Sequence, residues 1–225
     1  TDNTRIYLRT IMRPIKGLEL VGEYTYDRKN WQKSYYAKKW EYTTEQLGSN
    51  NSVTSDYLFK SEDHEDYNAL NLYGTYNFSI KEDHMFKVMA GFNQERKQNS
   101  WISVQTHDMI APSAPSFTSA TGKIIPQNSY SDYAIRGAFY RINYNYKDRY
   151  LFEANGRYDG SSKFPKDDRF GFFPSFSVGW NIARESWMEK ALDYVSDLKL
   201  RASWGQIGNQ NIGNYGYYST MQPVG

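Results

Sequence analysis

Apolar and polar positions alternate with period two along almost the whole chain, and that alternation predicts β-strands. From 149 to 159, Tyr150, Phe152, Ala154, Gly156 and Tyr158 share one face, while Leu151, Glu153, Asn155, Arg157 and Asp159 share the other. The first set is aromatic or small and the second is mostly polar. Leu18, Leu20, Gly22, Tyr24 and Tyr26 oppose Glu19, Val21, Glu23, Thr25 and Asp27 in the same way. Comparable runs cover 70–79, 86–95, 138–145, 176–182 and 198–205, and near the N-terminus Ile6, Leu8 and Met12 oppose Arg5, Arg9 and Arg13. The pattern predicts an all-β chain of about eight strands whose even-numbered side chains form the apolar face.

The predicted connections alternate in length. Short turns fall at 14–17, 81–83 and 147–149, and long connections at 29–64, 97–131 and 160–172. Tight turns at one end and long loops at the other are the signature of antiparallel up-and-down strands in an outer-membrane-type barrel. A short helix is expected over 186–194, with Ser186 as N-cap and Glu189 completing a capping box. Tyr144, Tyr146 and Tyr150 flank one short turn, and Phe78 and Phe86 another. Rings at those positions suit an interfacial girdle, where an amphipathic ring meets hydrocarbon and water together.

Composition narrows the choices. Mean hydropathy is -0.80 and no apolar run approaches 18 residues, which excludes a helical membrane protein. A barrel remains compatible, because half of its strand residues face a polar lumen. The 225 residues carry 27 basic and 25 acidic side chains, a net charge of +2, so there is no electrostatic footprint for nucleic acid. The chain has no Cys, which removes disulfides and thiolate metal sites. No basic segment followed by an apolar stretch opens the chain; either a mature protein starts here or this is an internal piece of a longer one.

Candidate chemistry is sparse. His64 lies in the acidic run Glu62-Asp63-His64-Glu65-Asp66, which lacks the spacing and central Gly of a calcium loop and is expected to be a solvated loop. No nucleophile elbow, phosphate loop or zinc-hydrolase motif occurs, so no catalytic residue, metal or cofactor is assigned. Gly208, Gly213 and Gly216 follow the last strand with no helix after them, which reads as a flexible turn. Trp31, Tyr35, Tyr36 and Trp40 crowd the first long connection and Trp101 the second; their rings are the candidate ligand contacts.

The stretch Gly156-Arg157-Tyr158-Asp159-Gly160-Ser161-Ser162-Lys163-Phe164 and the block Arg169-Phe170-Gly171-Phe172-Phe173-Pro174-Ser175 carry a more specific signal. With Val178-Gly179-Trp180-Asn181-Ile182, Glu185-Ser186-Trp187-Met188, Leu198-Lys199-Leu200-Arg201-Ala202-Ser203-Trp204-Gly205 and Gly208-Asn209-Gln210-Asn211-Ile212-Gly213, they resemble the SusC/RagA family of TonB-dependent outer-membrane transporters. The motif-bearing part runs from about Arg149 to Tyr215, and residues 1–148 match only in style. Pro165 and Phe170 depart from the small and Trp-like residues of the family pattern.

The resemblance implies a transmembrane barrel segment, an arc of a plugged barrel of about 22 strands. Residues 1–225 are then one part of that barrel domain, with the plug absent from this chain. The end at Gln222-Pro223-Val224-Gly225 is not an aromatic-terminated strand and fits an internal fragment. Also implied are an outer-membrane location in a Gram-negative cell of the Bacteroidetes type, import of oligosaccharides or oligopeptides, a SusD-like surface lipoprotein as partner, and the TonB system acting through the plug. Glu23, Arg141, Asn143, Glu153, Arg157 and Arg201 would face the lumen. Two other readings make different predictions. A self-contained eight-stranded barrel with a structural or adhesive role requires the strand near Thr4 to pair with that near Leu198. A soluble carbohydrate-binding sandwich requires Tyr150, Phe152 and Tyr158 to pack against a second sheet.

Overall fold

A computed structural model gives the fold and describes residues 1–43, 50–53, 55–191, 196–214 and 216. Among the described residues ten strands occur in chain order: β1 (Asp2–Met12), β2 (Leu18–Ala37), β3 (Trp40–Thr43), β4 (Asn50–Val53), β5 (Tyr57–Ile80), β6 (His84–His107), β7 (Ile125–Tyr146), β8 (Tyr150–Ser161), β9 (Phe170–Asn181) and β10 (Lys199–Gly205). Eight of them form one sheet in the order β1-β2-β5-β6-β7-β8-β9-β10, and β3 and β4 form a separate hairpin. Among the described residues no helix is long and apolar enough to cross a membrane.

The sheet order corrects the self-contained barrel: β1 and β10 are its two edges and do not pair with each other. Nor do Tyr150, Phe152 and Tyr158 pack as the sandwich requires: they are 46%, 41% and 51% exposed, with no second sheet over them among the described residues.

The register keeps parity from strand to strand. Ile142 lies opposite Ala154, Ala154 opposite Phe176, and Val178 opposite Ala202. From β7 to β10 every even position therefore meets an even partner, and the apolar face read from those single strands becomes one face of that part of the sheet. Its large side chains are exposed, Phe172, Phe176, Val178, Leu200 and Trp204 among them. One close approach on this face needs glycine: a Cβ on Gly156 would sit 2.4 Å from Cε1 of Tyr140, the residue directly opposite. The Tyr140 ring covers the bare backbone there, a device that restores the packing a glycine lacks.

The chain divides into two compact units. One comprises Thr1–Arg5, Asp27–Tyr67 and Lys97–Asp132, and the other Ile6–Tyr26, Asn68–Arg96 and Tyr133–Gly225. The second unit holds the short turns, all near the predicted positions. The turns at 81–83 and 147–149 use Lys81, Glu82, Lys147 and Asp148 with positive φ, the left-handed pair that suits the twist of a tight hairpin.

The first unit holds most of what alternation did not predict. Strands continue through much of the expected long connections: β2 runs to Ala37, β5 starts at Tyr57, β6 ends at His107 and β7 starts at Ile125. The third connection also shortens, since β8 reaches Ser161 and β9 starts at Phe170. The acidic run is strand, not loop. Arg28 Nε donates to Asp66 at 2.8 Å, Gln32 Nε2 to Glu62 at 2.8 Å, and His64 Nδ1 meets Asn30 Oδ1 at 2.7 Å. On the opposite parity Glu65 bridges Lys29 at 2.9 Å and Lys97 at 2.7 Å. Both faces are charged, so hydrophobic periodicity is silent, and backbone pairing with cross-strand charge pairs keeps the strands extended.

The expected helix over 186–194 is a 3₁₀ segment at Ser186–Ala191, preceded by another at Ile182–Arg184, while 192–194 lie outside the described residues. Ser186 is the first residue of the second segment rather than its cap. Short 3₁₀ pieces are common as connectors.

Candidate functional site

The odd-numbered face of the second unit gathers the charged residues. Along β1 and β2, Arg9 Nε lies 3.2 Å from Glu23 and Arg13 Nε donates to Glu19 at 2.8 Å. Tyr7 adds a hydroxyl to Glu23 at 3.1 Å. Farther along the sheet, Arg157 makes a two-point contact with Asp159, Nε to Oδ2 and Nη2 to Oδ1, both at 2.9 Å. The same Nη2 reaches Asn93 on β6 at 3.2 Å. Arg141 Nε donates to Asn155 at 2.7 Å, and Asn155 Nδ2 donates to Glu153 at 2.8 Å. Asn143 stands opposite Glu153, and Arg201 opposite Gly179, where its side chain is exposed. Of the six residues expected to share a polar face, Glu23, Arg141, Glu153 and Arg157 take part in these side-chain bonds.

Arg141, Asn155, Arg157, Asp159, Phe173 and Gln210 help line a concavity of about 610 Å³ on that face. The Gly-rich run after β10 forms one wall of it. Gln206 N–H bonds the Pro174 carbonyl at 2.9 Å, and Gly208 lies so near Phe173 that a Cβ would meet its Cζ at 2.4 Å. Gly208 therefore serves a close approach to a ring, where sequence alone read a flexible turn. Arginine forks, carboxylates and one aromatic face make a hydrated, hydrogen-bonding surface; nothing in the constellation pairs a nucleophile with a base.

The candidate aromatic contacts do not converge on one site. Tyr35 is exposed and packs on Tyr57 with centroids 5.4 Å apart. Trp40 opens β3 and is exposed, Trp31 is half-buried on β2, and Trp101 is half-buried on β6. Tyr36 belongs instead to a node that sequence reasoning missed. Its hydroxyl donates to Asp56 at 3.0 Å, and Asp56 also accepts the backbone N–H groups of Asp108 at 2.7 Å and Met109 at 3.2 Å. His107 Nδ1 donates to the Asp56 carbonyl at 3.0 Å, and Thr121 N–H closes on the Asp108 carbonyl. Burial alone would raise the Asp56 carboxyl. The bonds from Tyr36, Met109 and Asp108, with His107 beside them, outweigh it and hold the group below the usual aspartate range. Asp56 is 7% exposed and pins the start of β5 to the end of β6.

The short-turn end carries a row of aromatic rings in contact. Phe78 stacks on Phe86 at 5.0 Å, Phe86 meets Tyr144 at 4.9 Å, and Tyr146 stacks on Tyr150 at 6.3 Å. His84 joins the row, with its ring 4.8 Å from Tyr146. Between the turns, Lys147 Nζ lies 3.3 Å from Asp83, whose hydrogen bond and charge raise the lysine above its ordinary value.

A family described as "TonB dependent receptor-like, beta-barrel" matches residues 2–224. The chain is 34% identical over 144 residues to TonB-dependent receptor P26 of Formosa agariphila, covering 62% of this chain and 14% of that protein. It is 51% identical over 76 residues to TonB-dependent receptor SusC of Bacteroides thetaiotaomicron, covering 34% of this chain and 8% of that protein. Among solved structures, that of the RagAB peptide transporter superposes with a TM-score of 0.83 at 21% identity, over 94% of this chain and 23% of that one. The closed-closed state of the RagAB peptide importer gives 0.79 at 22% identity over 95% of this chain. This chain spans only a small fraction of each of these relatives. An eight-stranded sheet with an exposed apolar face and unpaired edges is what a section of such a wall should look like, and the match over nearly every residue shows that the chain belongs to the TonB-dependent receptor-like β-barrel family.

Proposed function

We propose that this chain is a section of the barrel wall of an outer-membrane active importer. The observation that carries the reading is the parity of the sheet: even-numbered rings and aliphatics exposed on one face, arginines and carboxylates tied together on the other. Exposed apolar side chains in a continuous band need a partner as apolar as themselves, and hydrocarbon is the one that a barrel wall meets. The edges of β1 and β10 carry unpaired backbone groups, which lipid does not tolerate; further strands of the same wall would satisfy them. A plug would belong to a part of the protein beyond these residues.

Glu23, Arg141, Asn143, Glu153, Arg157 and Arg201 then face the lumen and hydrate the path of the cargo. Trp31, Tyr35, Trp40 and Trp101 belong to the outward-facing region where cargo and a SusD-like lipoprotein would meet the barrel. Energy would come from TonB through the plug. The cargo is an oligopeptide or an oligosaccharide. RagAB is a peptide transporter, so oligopeptides are the first cargo to test.

The test is uptake by cells carrying the full-length protein. Accumulation of a labelled oligopeptide or oligosaccharide pool should fall to background when the gene or TonB is deleted, and return with the gene. Unchanged uptake of every pool in the deletion strain would refute the importer.

A further inference from the structure

The connection from β9 to β10 lies against the apolar face. Glu185, buried after the first 3₁₀ turn, accepts hydrogen bonds from Tyr150 Oη at 2.8 Å and Trp180 Nε1 at 2.9 Å. Arg149 Nη1 lies 3.7 Å from the other carboxylate oxygen. The backbone closes the arrangement: Asn181 N–H donates to the Arg149 carbonyl at 2.7 Å, and Ala183 N–H to the Leu198 carbonyl at 3.2 Å. Tyr150 and Trp180 are even-numbered, and each is partly exposed on the apolar face. A carboxylate that reaches both polar tips brings this connection onto that face, at the end of the sheet where the turn at 147–149 lies. Trp187, two residues on, is 63% exposed, and Arg184, three residues before it, is exposed as well.

We propose that the connection over 182–191 is a foot that rests in the headgroup layer of the bilayer at the short-turn rim, with Trp187 seated at the edge of the acyl chains and Arg184 toward lipid phosphate. The proposal rests on the reading in which the even-numbered face meets lipid. Three observations favour a lipid surface as the occupant. The aromatic row from Phe78 to Tyr150 runs up to the foot, so the foot continues a girdle of interfacial rings. An ionised carboxylate is costly at hydrocarbon depth, so Glu185 fixes the tips of Tyr150 and Trp180 at the polar level and sets the depth of the foot. An exposed indole and an exposed guanidinium on one short connection have the amphipathic chemistry that settles at a bilayer interface.

The test uses the full-length protein in a background without other cysteines, reconstituted in phospholipid vesicles. Nitroxide labels are placed singly at Trp187→Cys, Val178→Cys and Asn155→Cys, and collision with oxygen is compared with collision with a water-soluble nickel chelate. The label at 178 should be oxygen-rich and shielded from nickel, that at 155 open to nickel, and that at 187 intermediate, at headgroup depth. A 187 label as open to nickel as the 155 label, with 178 still shielded, would overturn the foot and leave the barrel wall standing; a periplasmic protein would then be the occupant to seek. A 178 label open to nickel would overturn both. Adding Glu185→Ala should raise nickel access at 187 severalfold with no change at 178, and no change at 187 would remove Glu185 from the proposal.

Discussion

His84 Nδ1 lies 2.9 Å from the Tyr144 hydroxyl, and the two rings stack with centroids 6.0 Å apart. The pair ties the first residue of β6 to the last residues of β7, at the end of the sheet where the aromatic row runs. Histidine serves here as a flat ring with a polar edge, the same amphipathic role that Tyr plays beside it.

Removing only the hydroxyl separates the two contributions. Tyr144→Phe keeps the stack and should cost about 0.5–1.5 kcal/mol, the usual net worth of one hydrogen bond. His84→Ala also removes the contacts with Tyr144 and Tyr146 and should cost more. Both are read from denaturant midpoints of the full-length protein folding into vesicles. Equal costs for the two variants would show that the ring contact contributes nothing.

Parity makes a sharper demand. Val178 is 53% exposed on the even face, and Asn155 is bonded to Arg141 on the odd face. If the even face meets hydrocarbon, Val178→Arg should impair membrane folding by about 2–4 kcal/mol near the midplane. Asn155→Arg places its charge among polar neighbours and should be far milder. Ala154→Arg should also be damaging, with a steric share, because Ala154 lies buried between Ile142 and Phe176. Equal damage at 155 and 178 would contradict the assignment of faces.

What the sequence revealed followed from where one face must be apolar. Tyr150, Phe152 and Val178 announce their strands because each alternates with polar or small neighbours on the other parity. Arg28 to Gln32 and Glu62 to Asp66 do not, since charges on both parities leave no period to detect; they are strands all the same. On the other parity, Glu23, Arg141 and Arg157 bond to odd-numbered partners, Arg9, Asn155 and Asp159, a grouping the same alternation suggests. The Asp56 node was not legible, because a lone aspartate whose partners are backbone N–H groups 52 and 53 residues away leaves no local mark. Glu185 sat within a recognisable block, but its partner Tyr150 is 35 residues upstream, and only the fold joins them.

The Asp56 node should respond to pH in one direction. Its folded pKa is depressed, so its contribution is present above the unfolded value of about 3.9 and is lost as pH falls through the lower folded value. Amide exchange over 106–122 in the full-length protein should therefore stay protected from neutral pH down to about 5, and loosen only under stronger acid. Asp56→Ala should expose the same amides at neutral pH, at a local cost of about 1–3 kcal/mol for the donors left without an acceptor. A midpoint for loosening near neutrality would remove the Asp56 carboxylate as the cause.

Gly156 and Tyr140 test whether the apolar face is packed or merely greasy. The two are directly opposed, and the phenol ring occupies the space a Cβ on Gly156 would need, with Cε1, Cζ and Oη all within 2.8 Å of it. Gly156→Ala must push that ring aside and should destabilise folding by about 1–3 kcal/mol, the usual cost of overpacking. Tyr140→Ala uncovers the glycine backbone and should be destabilising too. Together the changes should cost less than their sum, because alanine at 156 no longer meets a ring and itself shields the strand. Folding free energies of the two single variants and the double variant close the cycle, and residues in contact should couple by at least about 0.5 kcal/mol. Strict additivity would mean that the ring does not rest on Gly156 in the membrane and that lipid chains cover the backbone there.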